Sequence, residues 1–481
     1  MRLAVKEQTL HRIDLTTRMP FRYGIAVMTA LPHVVLRTVI ETDNGIARGW
    51  SAEQLPPKWF TKVPDKDPEE EIDEMISVVL HAMKLGEGLQ VDSVFDFWCR
   101  CRQGQAEWGR ETGFPPLLTH FGVSLTERAV IDAVCRKSGV PFHRLVKENG
   151  LGMDLGALHS ELAGASPGDL LPASPLERIL VRHTVGLADP LSAADLDEHD
   201  RLQDGLPQTL EDSIRAYGLS EFKIKICGDL DTDEPRLNAL ADVLEHETGG
   251  NYGFSLDGNE QYETAADFLA AWEQLMSRVD RPSFWKRLSF VEQPVHRDYT
   301  FASSLPVLRD PAGRAVPVII DEADGEVESL PRALELGYSG VSHKNCKGVC
   351  KGIANRCLLT HRASPAGGPE YIMTGEDLAG IGPIGLPQDL AVQAALGNAS
   401  VERNGHHYFA GLSQMPAPLQ AIALETMPDL YEVSDLAWPR LKIRDGLIDV
   451  RGLNAAPFGV PFEPDLSAGF QVAGSVGWAG G

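Results

Sequence analysis

The sequence predicts an α/β protein: a (β/α)8-type barrel in the C-terminal part, with an α+β capping domain formed by the N-terminus and the C-terminal tail. Three observations predict this fold: a first zone with β and then α patterns, eight later strand candidates in βα alternation, and a strand pair near the C-terminus. The predicted limits are 1–150 for the capping domain, 151–440 for the barrel, and 441–481 for the segment that returns to the capping domain.

The first zone begins with strands and continues with helices. Val34–Ile40 is an apolar strand-like run, and the turn signal Asp43–Gly45 lets the following residues return as a partner strand. The clearest helix is predicted from Glu127 to about Ser138. Ser124 and Glu127 have the spacing of a capping box, and Gly139 can end the helix.

The second zone carries the barrel pattern. Its short apolar strands are each followed by a helical stretch, and loops rich in Gly, Pro, Ser and Asp occupy residues 150–178 and 188–212. A doubly wound open sheet is the rival, but nothing resembling GxGxxG follows an early strand. The strand candidates are Ile179–Val185, Glu221–Ile226, Tyr252–Asp257, Leu288–Glu292, Val316–Ile320, Gly340–His343, Tyr371–Thr374 and Ala399–Glu402.

The C-terminal zone predicts a hairpin and a frayed end. Residues Leu441–Val450 read as two strands around the turn Asp445-Gly446, and we expect them to return to the first zone. The Gly-rich residues Ala473–Gly481 are expected to fray.

Composition excludes several classes of protein. Among 481 residues, 68 acidic side chains against 44 basic ones give a net charge of −24, which disfavours binding to nucleic acid or to an anionic membrane. The start has no signal-peptide pattern, and no run is long and apolar enough to span a membrane. The seven scattered cysteines fit reduced thiols. We expect a cytoplasmic protein that forms a homo-oligomer.

Three consecutive predicted strands each end in a carboxylate: Asp257, Glu292 and Asp321. Taken singly, each can be a turn residue or a helix cap. Taken together they converge at the C-terminal face of a barrel, where three ionised carboxylates in a dry pocket need a cation. Their oxygen ligands suit Mg²⁺ better than zinc.

Lysines flank the carboxylates on both sides. Lys223 and Lys225 lie two residues apart and share one face of strand two, while Lys344 follows strand six. Each alone can be a solvated surface lysine. Near a divalent cation, lysines can act as bases at neutral pH, which suits removal of the proton on the carbon next to a carboxylate. The metal would bind that carboxylate and stabilise the enediolate.

The ordered set of motifs resembles the enolase superfamily, of the mandelate racemase and muconate-lactonising type. It is most similar to the muconate-lactonising branch, which includes dipeptide epimerases and o-succinylbenzoate synthases. The resemblance covers nearly the whole chain. The residues that carry it are Lys223 and Lys225, Asp257 with Asn259, Glu292-Gln293-Pro294, Asp321-Glu322, Lys344, the segment Glu127–Leu145 and the segment Leu441–Val450.

The resemblance implies roles for these residues. Asp257, Glu292 and Asp321 would bind Mg²⁺, with Glu322 an alternative to Asp321 as the third ligand. The acid/base pair would be Lys225 and Lys344 on opposite faces of the substrate. The substrate itself, a small-molecule carboxylate, would be contacted by Lys223, Asn259, Glu376, Arg22 and Tyr23.

The resemblance also bears on the loops at the barrel mouth and on several polar residues near it. Two candidate lid segments, Phe21–Gly24 and Trp50–Phe60, are expected to cover the barrel mouth. Glu376 can instead begin a helix. Strand seven offers no histidine, which disfavours a mandelate-racemase type of base. His406 and His407 are expected to be surface or packed residues.

The implied function is Mg²⁺-dependent abstraction of the α-proton of a carboxylate, with racemisation or epimerisation as the first hypothesis. A lyase or cycloisomerase on the same scaffold is the main alternative. Two hypotheses from other classes are a Mg²⁺-dependent barrel aldolase or hydrolase, and a catalytically silent homologue that acts as a binding protein.

Overall fold

A closed barrel of eight parallel strands forms the C-terminal part of the structure, a computed structural model that describes residues 1–23, 25–363 and 370–477. Strand eight pairs in parallel with strand one, which closes the sheet. Each strand lies on one of the predicted candidates, so the predicted barrel is confirmed. Barrel strands one to eight are Arg178–Val185, Glu221–Lys225, Gly253–Asp257, Leu288–Glu292, Val318–Ile320, Gly340–His343, Ile372–Gly375 and Ser400–Arg403.

Helices follow the barrel strands and pack outside them. The barrel region contains the helices Leu210–Tyr217, Leu230–Thr248, Ala265–Arg278, Pro282–Trp285, Ser329–Glu335, Val349–Ala363, Gly385–Leu396, Gly405–Tyr408 and Ala417–Thr426, and the small hairpin Leu308–Arg309 with Ala315–Val316. Apart from the starts of barrel strand one and of the helix Leu210–Tyr217, the two predicted loops contain only short helical turns. These lie at Leu155–Leu158, Ser160–Leu162, Pro167–Leu170, Ala193–Asp195 and Glu198–Asp200.

An antiparallel sheet and three helices form the capping domain, in the predicted order of strands before helices. Apolar residues on the inner face of the sheet pack against the helices, which buries both surfaces. The sheet consists of Leu3–Tyr23, Ala26–Thr42 and Gly45–Gln54, with Gln90–Val91 and Gln471–Gly477 both paired to the first strand. The helices are Pro68–Gly86, Val94–Thr112 and Pro116–Ser138, followed by the short helix Phe142–Lys147.

The helix that was predicted to begin at Glu127 begins eleven residues earlier, at Pro116. The predicted capping box is wrong: the Ser124 hydroxyl donates to a main-chain carbonyl within the helix, and Glu127 accepts from the amides of Val349 and Cys350. Residues 117–135 are buried all round, so the helix lacks the amphipathic pattern that would mark its start. Its end at the left-handed Gly139 is as predicted.

The C-terminal strands differ from the prediction in their partners. The turn at Asp445-Gly446 forms, but Leu447–Asp449 pairs antiparallel with barrel strand one and does not return to the first zone. The pattern predicts a strand but cannot choose its partner, and the buried Ile448 packs on the barrel. Gln471–Gly477 joins the capping sheet instead, so residues 473–477 are not frayed, and residues 478–481 lie outside the described ones.

No helix in the described ranges is both long and apolar enough to cross a membrane.

Candidate active site

A pocket lies between the C-terminal ends of the barrel strands and the capping domain. Because residues two apart in a strand share a face, Lys223 and Lys225 both point to the interior of the barrel, as predicted. The pocket has a charged side from the barrel and an apolar side from the capping domain. Its main lining residues are Lys223, Lys225, Asn259, Asp321, Glu322, Lys344, Asp377 and Glu402 from the barrel, and Phe21, Tyr23, Met28, Pro56 and Trp59 from the cap.

Lys223 lies at the centre of four carboxylates. Its Nζ is 2.8 Å from Glu292, 2.9 Å from Glu376, and 3.0 Å from both Glu402 and Asp257. Burial alone would lower the pKa of Lys223, but the four carboxylates raise it well above its ordinary value. Lys223 is therefore a fixed positive charge beneath the pocket.

The two predicted bases approach the pocket from opposite sides. Lys225, on strand two, has its Nζ 2.5 Å from Asp257. Lys344 follows strand six, four strands away around the barrel, and its Nζ lies 2.7 Å from Asp321 and 2.6 Å from Glu376. Since strands four apart in an eight-stranded barrel face each other, the two ammonium groups flank the space between them.

The carboxylates offer a place for a divalent cation. Oxygens of Glu292, Asp321 and Glu376 lie within 4.8 Å of one another, and all three side chains are buried. One oxygen of Glu292 and one of Glu322 are buried without a hydrogen-bond partner. Buried carboxylate oxygens without a partner are costly, so this donor set fits a hard cation such as Mg²⁺.

The two candidates for the third ligand differ in their surroundings. Asp321 is held by lysine ammonium groups, which keep its pKa low despite burial. Burial, together with the neighbouring Asp321, raises the pKa of Glu322 to about 8. Asp257, predicted as a ligand, contacts Lys223 and Lys225 and stands beside the group formed by Glu292, Asp321 and Glu376.

Sequence reasoning missed several charged residues of the site, among them Lys347, Arg182 and Glu402. Lys347 donates to the Asp321 carboxylate at 2.7 Å, and Arg182 donates to Glu376 at 3.0 Å from inside the barrel. Glu402 lies near the end of strand eight and accepts a hydrogen bond from Lys223. A charged residue within or at the end of an apolar barrel strand is the signal that identifies Arg182 and Glu402, while Lys347 lies three residues after Lys344.

The predicted substrate contacts divide into two groups. Asn259 and Tyr23 line the pocket, although the Tyr23 hydroxyl donates to the Pro57 carbonyl at 2.9 Å. Arg22 is exposed and does not line the pocket, because strand alternation turns it away from the side that Phe21 and Tyr23 share. Gly24, in the same candidate lid, lies outside the described residues.

Glu376, His406 and His407 are all buried. Glu376 is fully buried between Lys223, Lys344 and Arg182, so it does not serve as a helix cap. His406 and His407 are packed, and a ring nitrogen of His406 lies 3.2 Å from His183. These histidines are not among the residues that line the pocket.

No family model matches the sequence, and no curated protein matches it. Many solved structures share the fold. An enolase from Bradyrhizobium, complexed with magnesium and mandelic acid, is 13% identical with a TM-score of 0.56, and the match covers 94% of each chain. A mandelate racemase/muconate lactonizing enzyme from Bordetella bronchiseptica is 16% identical with a TM-score of 0.56, over 98% of this chain and 99% of that one.

A substrate-liganded L-Ala-D/L-Glu epimerase from Bacillus subtilis is 15% identical with a TM-score of 0.53, over 92% of this chain and 99% of the other. Identities this low establish shared architecture and not shared chemistry. The matches extend over both the capping sheet and the barrel, and over nearly the full length of each structure. The chain therefore has the fold of the enolase superfamily, as its resemblance to the mandelate racemase and muconate-lactonising enzymes implied.

Proposed function

We propose that the protein is an enzyme that removes the α-proton of a carboxylate substrate and acts as a racemase or epimerase. The observation that carries the proposal is the pair of buried ammonium groups, Lys225 and Lys344, on opposite sides of one pocket. One lysine, as the neutral amine, can remove the proton from the tetrahedral α-carbon to give a planar intermediate, and the other, as the ammonium, can deliver a proton to the opposite face of that intermediate. That arrangement is what inversion at carbon requires.

The donor set supports Mg²⁺ as the cofactor. Asp257, Glu292 and Asp321 would hold the ion: Glu292 and Asp321 belong to the buried carboxylate cluster, and Asp257 lies next to Glu292 on the neighbouring strand. Glu322, which has a buried oxygen without a partner, is the alternative third ligand. Bound there, Mg²⁺ supplies a positive charge that binds the substrate carboxylate and stabilises the negative charge that develops on its oxygens. Lys223 adds a second fixed charge beneath the same carboxylate.

The capping domain closes the other side of the pocket. Trp59 and Phe21 exclude water from the space in front of the lysines, which strengthens electrostatic interactions there. Two of the solved structures with this fold were obtained with mandelic acid and with a substrate of an L-Ala-D/L-Glu epimerase, and both are consistent with an α-substituted carboxylate as substrate.

A lyase or cycloisomerase is the second candidate, and it rests on the unequal surroundings of the two lysines. Lys344 contacts two carboxylates and the face of Trp59, whereas Lys225 contacts Asp257. In a one-base reaction, one of the two lysines would only stabilise charge.

Solvent-deuterium exchange tests the proposal. The Mg²⁺-loaded protein is incubated in D₂O with a panel of α-substituted acids and acylated amino acids, and deuterium at the α-carbon is measured by mass spectrometry. We expect uptake for at least one class of acid, and none after Mg²⁺ is removed by a chelator. Absence of uptake from every acid, with cleavage of sugar phosphates instead, would contradict the proposal.

A further inference from the structure

Residues 55–62, which we call the lid segment, place an aromatic ring over one of the two lysines. The Trp59 ring centroid lies 5.1 Å from the Lys344 Nζ, within the range of a cation–π contact. Phe60 packs edge-on against Trp59, with 4.7 Å between ring centroids, and both side chains are buried. The position of the lid segment therefore sets the shape of the pocket beside Lys344.

A single arginine from the barrel holds the main chain of the lid segment. Arg297 follows strand four, and its two terminal nitrogens donate to the carbonyls of Trp59 and Phe60 at 2.9 Å each. The same guanidinium makes a two-pronged ion pair with Glu260, at 2.7 and 2.8 Å. A planar guanidinium can satisfy a carboxylate and two carbonyls at once, which a lysine cannot do.

Glu260 is itself placed by an unusual backbone. It follows strand three in a left-handed conformation with φ of 63°, next to Asn259 with φ of 42°. Such conformations are costly for residues with side chains and persist only where their surroundings fix them. Lys62, at the end of the lid segment, donates to the Asn259 carbonyl at 2.6 Å. The loops after strands three and four thus form one docking point for the lid segment.

A second anchor lies within the capping domain and serves as a reference. Glu71, in the first cap helix, accepts from the Lys58 amide at 2.8 Å and from the Thr61 hydroxyl at 2.7 Å. Glu71 ties the lid segment to the cap, while Arg297 ties it to the barrel. The tie through Arg297, with Lys62 beside it, fixes Trp59 relative to Lys344, because Lys344 belongs to the barrel.

We propose that Arg297 is a positioning residue: together with Glu260 it docks the lid segment on the barrel and so fixes Trp59 over Lys344. The docking itself is independent of the reaction that the pocket carries out. Its consequence for turnover rests on the proposed function, since a mobile Trp59 would leave the substrate beside Lys344 less confined and exposed to water.

Hydrogen exchange of the lid segment tests the proposal without any ligand. In Arg297→Met, amides of residues 58–62 should exchange roughly 10- to 100-fold faster than in the wild type, because the charged bonds to two carbonyls are lost. Arg297→Lys and Glu260→Gln should give intermediate rates. Arg332→Met is the matched control, since Arg332 bonds to the Phe301 carbonyl and should leave the lid segment unchanged.

Wild-type exchange rates at residues 58–62 in folded Arg297→Met would overturn the proposal. If Arg297→Met does not fold, unchanged rates in both Arg297→Lys and Glu260→Gln would overturn it instead. The helix Pro116–Ser138 should keep its protection in every variant, which separates lid release from general unfolding.

A second readout separates this proposal from the proposed function. With any acid that takes up deuterium, Arg297→Lys should raise KM more than it lowers kcat, because the residue places the lid and touches no reacting atom. A fall in kcat with an unchanged KM would contradict a positioning role. If no acid exchanges at all, the proposed function fails, while the exchange rates of the lid segment still decide the role of Arg297.

Discussion

The two halves of the pocket are built on opposite chemical principles. The barrel half carries buried carboxylates together with buried lysines and an arginine, and most of these charges are paired with one another. The described residues with which the cap half lines the pocket are apolar apart from Tyr23, whose hydroxyl donates to a carbonyl of the cap. The difference indicates that the barrel half supplies the chemistry and the cap half supplies the fit to the substrate.

The charged half is unusual for the inside of a barrel. Barrel interiors are normally filled by branched apolar side chains, and a buried charge is tolerated only when it is paired. Arg182, inside strand one, is paired with Glu376, which in turn contacts Lys223 and Lys344. The network extends from the middle of the barrel to the pocket and fixes the lysines before any substrate binds.

The largest loss of turnover is expected when the charges that act on the substrate are removed. Lys225→Met and Lys344→Met should each lower turnover by about 10²- to 10⁴-fold, the usual contribution of a general acid or base. The rate at which one stereoisomer is converted into the other, followed by chiral chromatography, measures the loss. Lys286→Met, at an exposed position on the barrel, is the control and should retain full activity. Wild-type rates in both pocket variants would show that neither lysine is a base.

Substitution of a proposed metal ligand tests the barrel half of the pocket through Mg²⁺ binding, without any measurement of turnover. Asp257→Asn and Glu292→Gln should each weaken Mg²⁺ affinity by at least about 100-fold, since loss of an outer partner can already cost that much. Isothermal titration calorimetry measures the affinity, and circular dichroism checks the fold. Glu221→Gln is the control, because Glu221 lies at the opposite end of strand two from the pocket. Full affinity in both ligand variants would remove these residues from the site.

A buried histidine in the capping domain, His33, should make the stability of the protein depend on pH. Burial lowers the pKa of His33 to about 4, below the value near 6.5 expected in the unfolded chain. The folded state disfavours the proton, so the stability is fully present above pH 6.5 and is lost as pH falls towards 4. The loss should be about 2–3 kcal/mol.

Urea unfolding at pH 7.5 and pH 4.5 measures this dependence. His33→Gln should lose less stability between the two pH values than the wild type does. His199→Gln, at an exposed position, should behave like the wild type. Identical pH dependence in the wild type and His33→Gln would mean that His33 does not report on the stability of the cap.

The smallest effect should come from the apolar half of the pocket. Trp59→Leu keeps the lid buried but removes the ring face beside Lys344, so KM for the acid should rise about 2- to 30-fold with little change in kcat. Trp108→Leu is the control, since Trp108 stacks on His81 in the capping domain. A loss in kcat as large as that of the lysine variants would mean that the cap half takes part in the chemistry and not only in the fit to the substrate.

The sequence predicts the barrel well because its signals are local and repeated. Each strand is a short apolar run, and a charged residue ends or directly follows each of strands two to six. The same local signals cannot choose partners between distant segments. Leu447–Asp449 and Gln471–Gly477 are both strands, yet one pairs with the barrel and the other with the cap, which only the tertiary fold decides.

The site was predictable to the extent that one motif could be assigned to one strand end. Lys225, Glu292, Asp321 and Lys344 all lie at the barrel mouth, as expected. Arg22 was misplaced because the sequence alone does not show which side of the strand faces the pocket, and that side carries Phe21 and Tyr23. Arg297 gave no signal at all, since its role lies in contacts with carbonyls more than 200 residues away in the chain.

The central claim is that Lys225 and Lys344 act on opposite faces of one substrate carbon. The most direct measurement is α-deuterium uptake in D₂O from each pure enantiomer or epimer of an acid that the wild type exchanges. The two-lysine account predicts that Lys225→Met exchanges one stereoisomer only and Lys344→Met exchanges only the other. Loss of uptake from the same stereoisomer in both variants, or uptake from both stereoisomers in either variant, would contradict it.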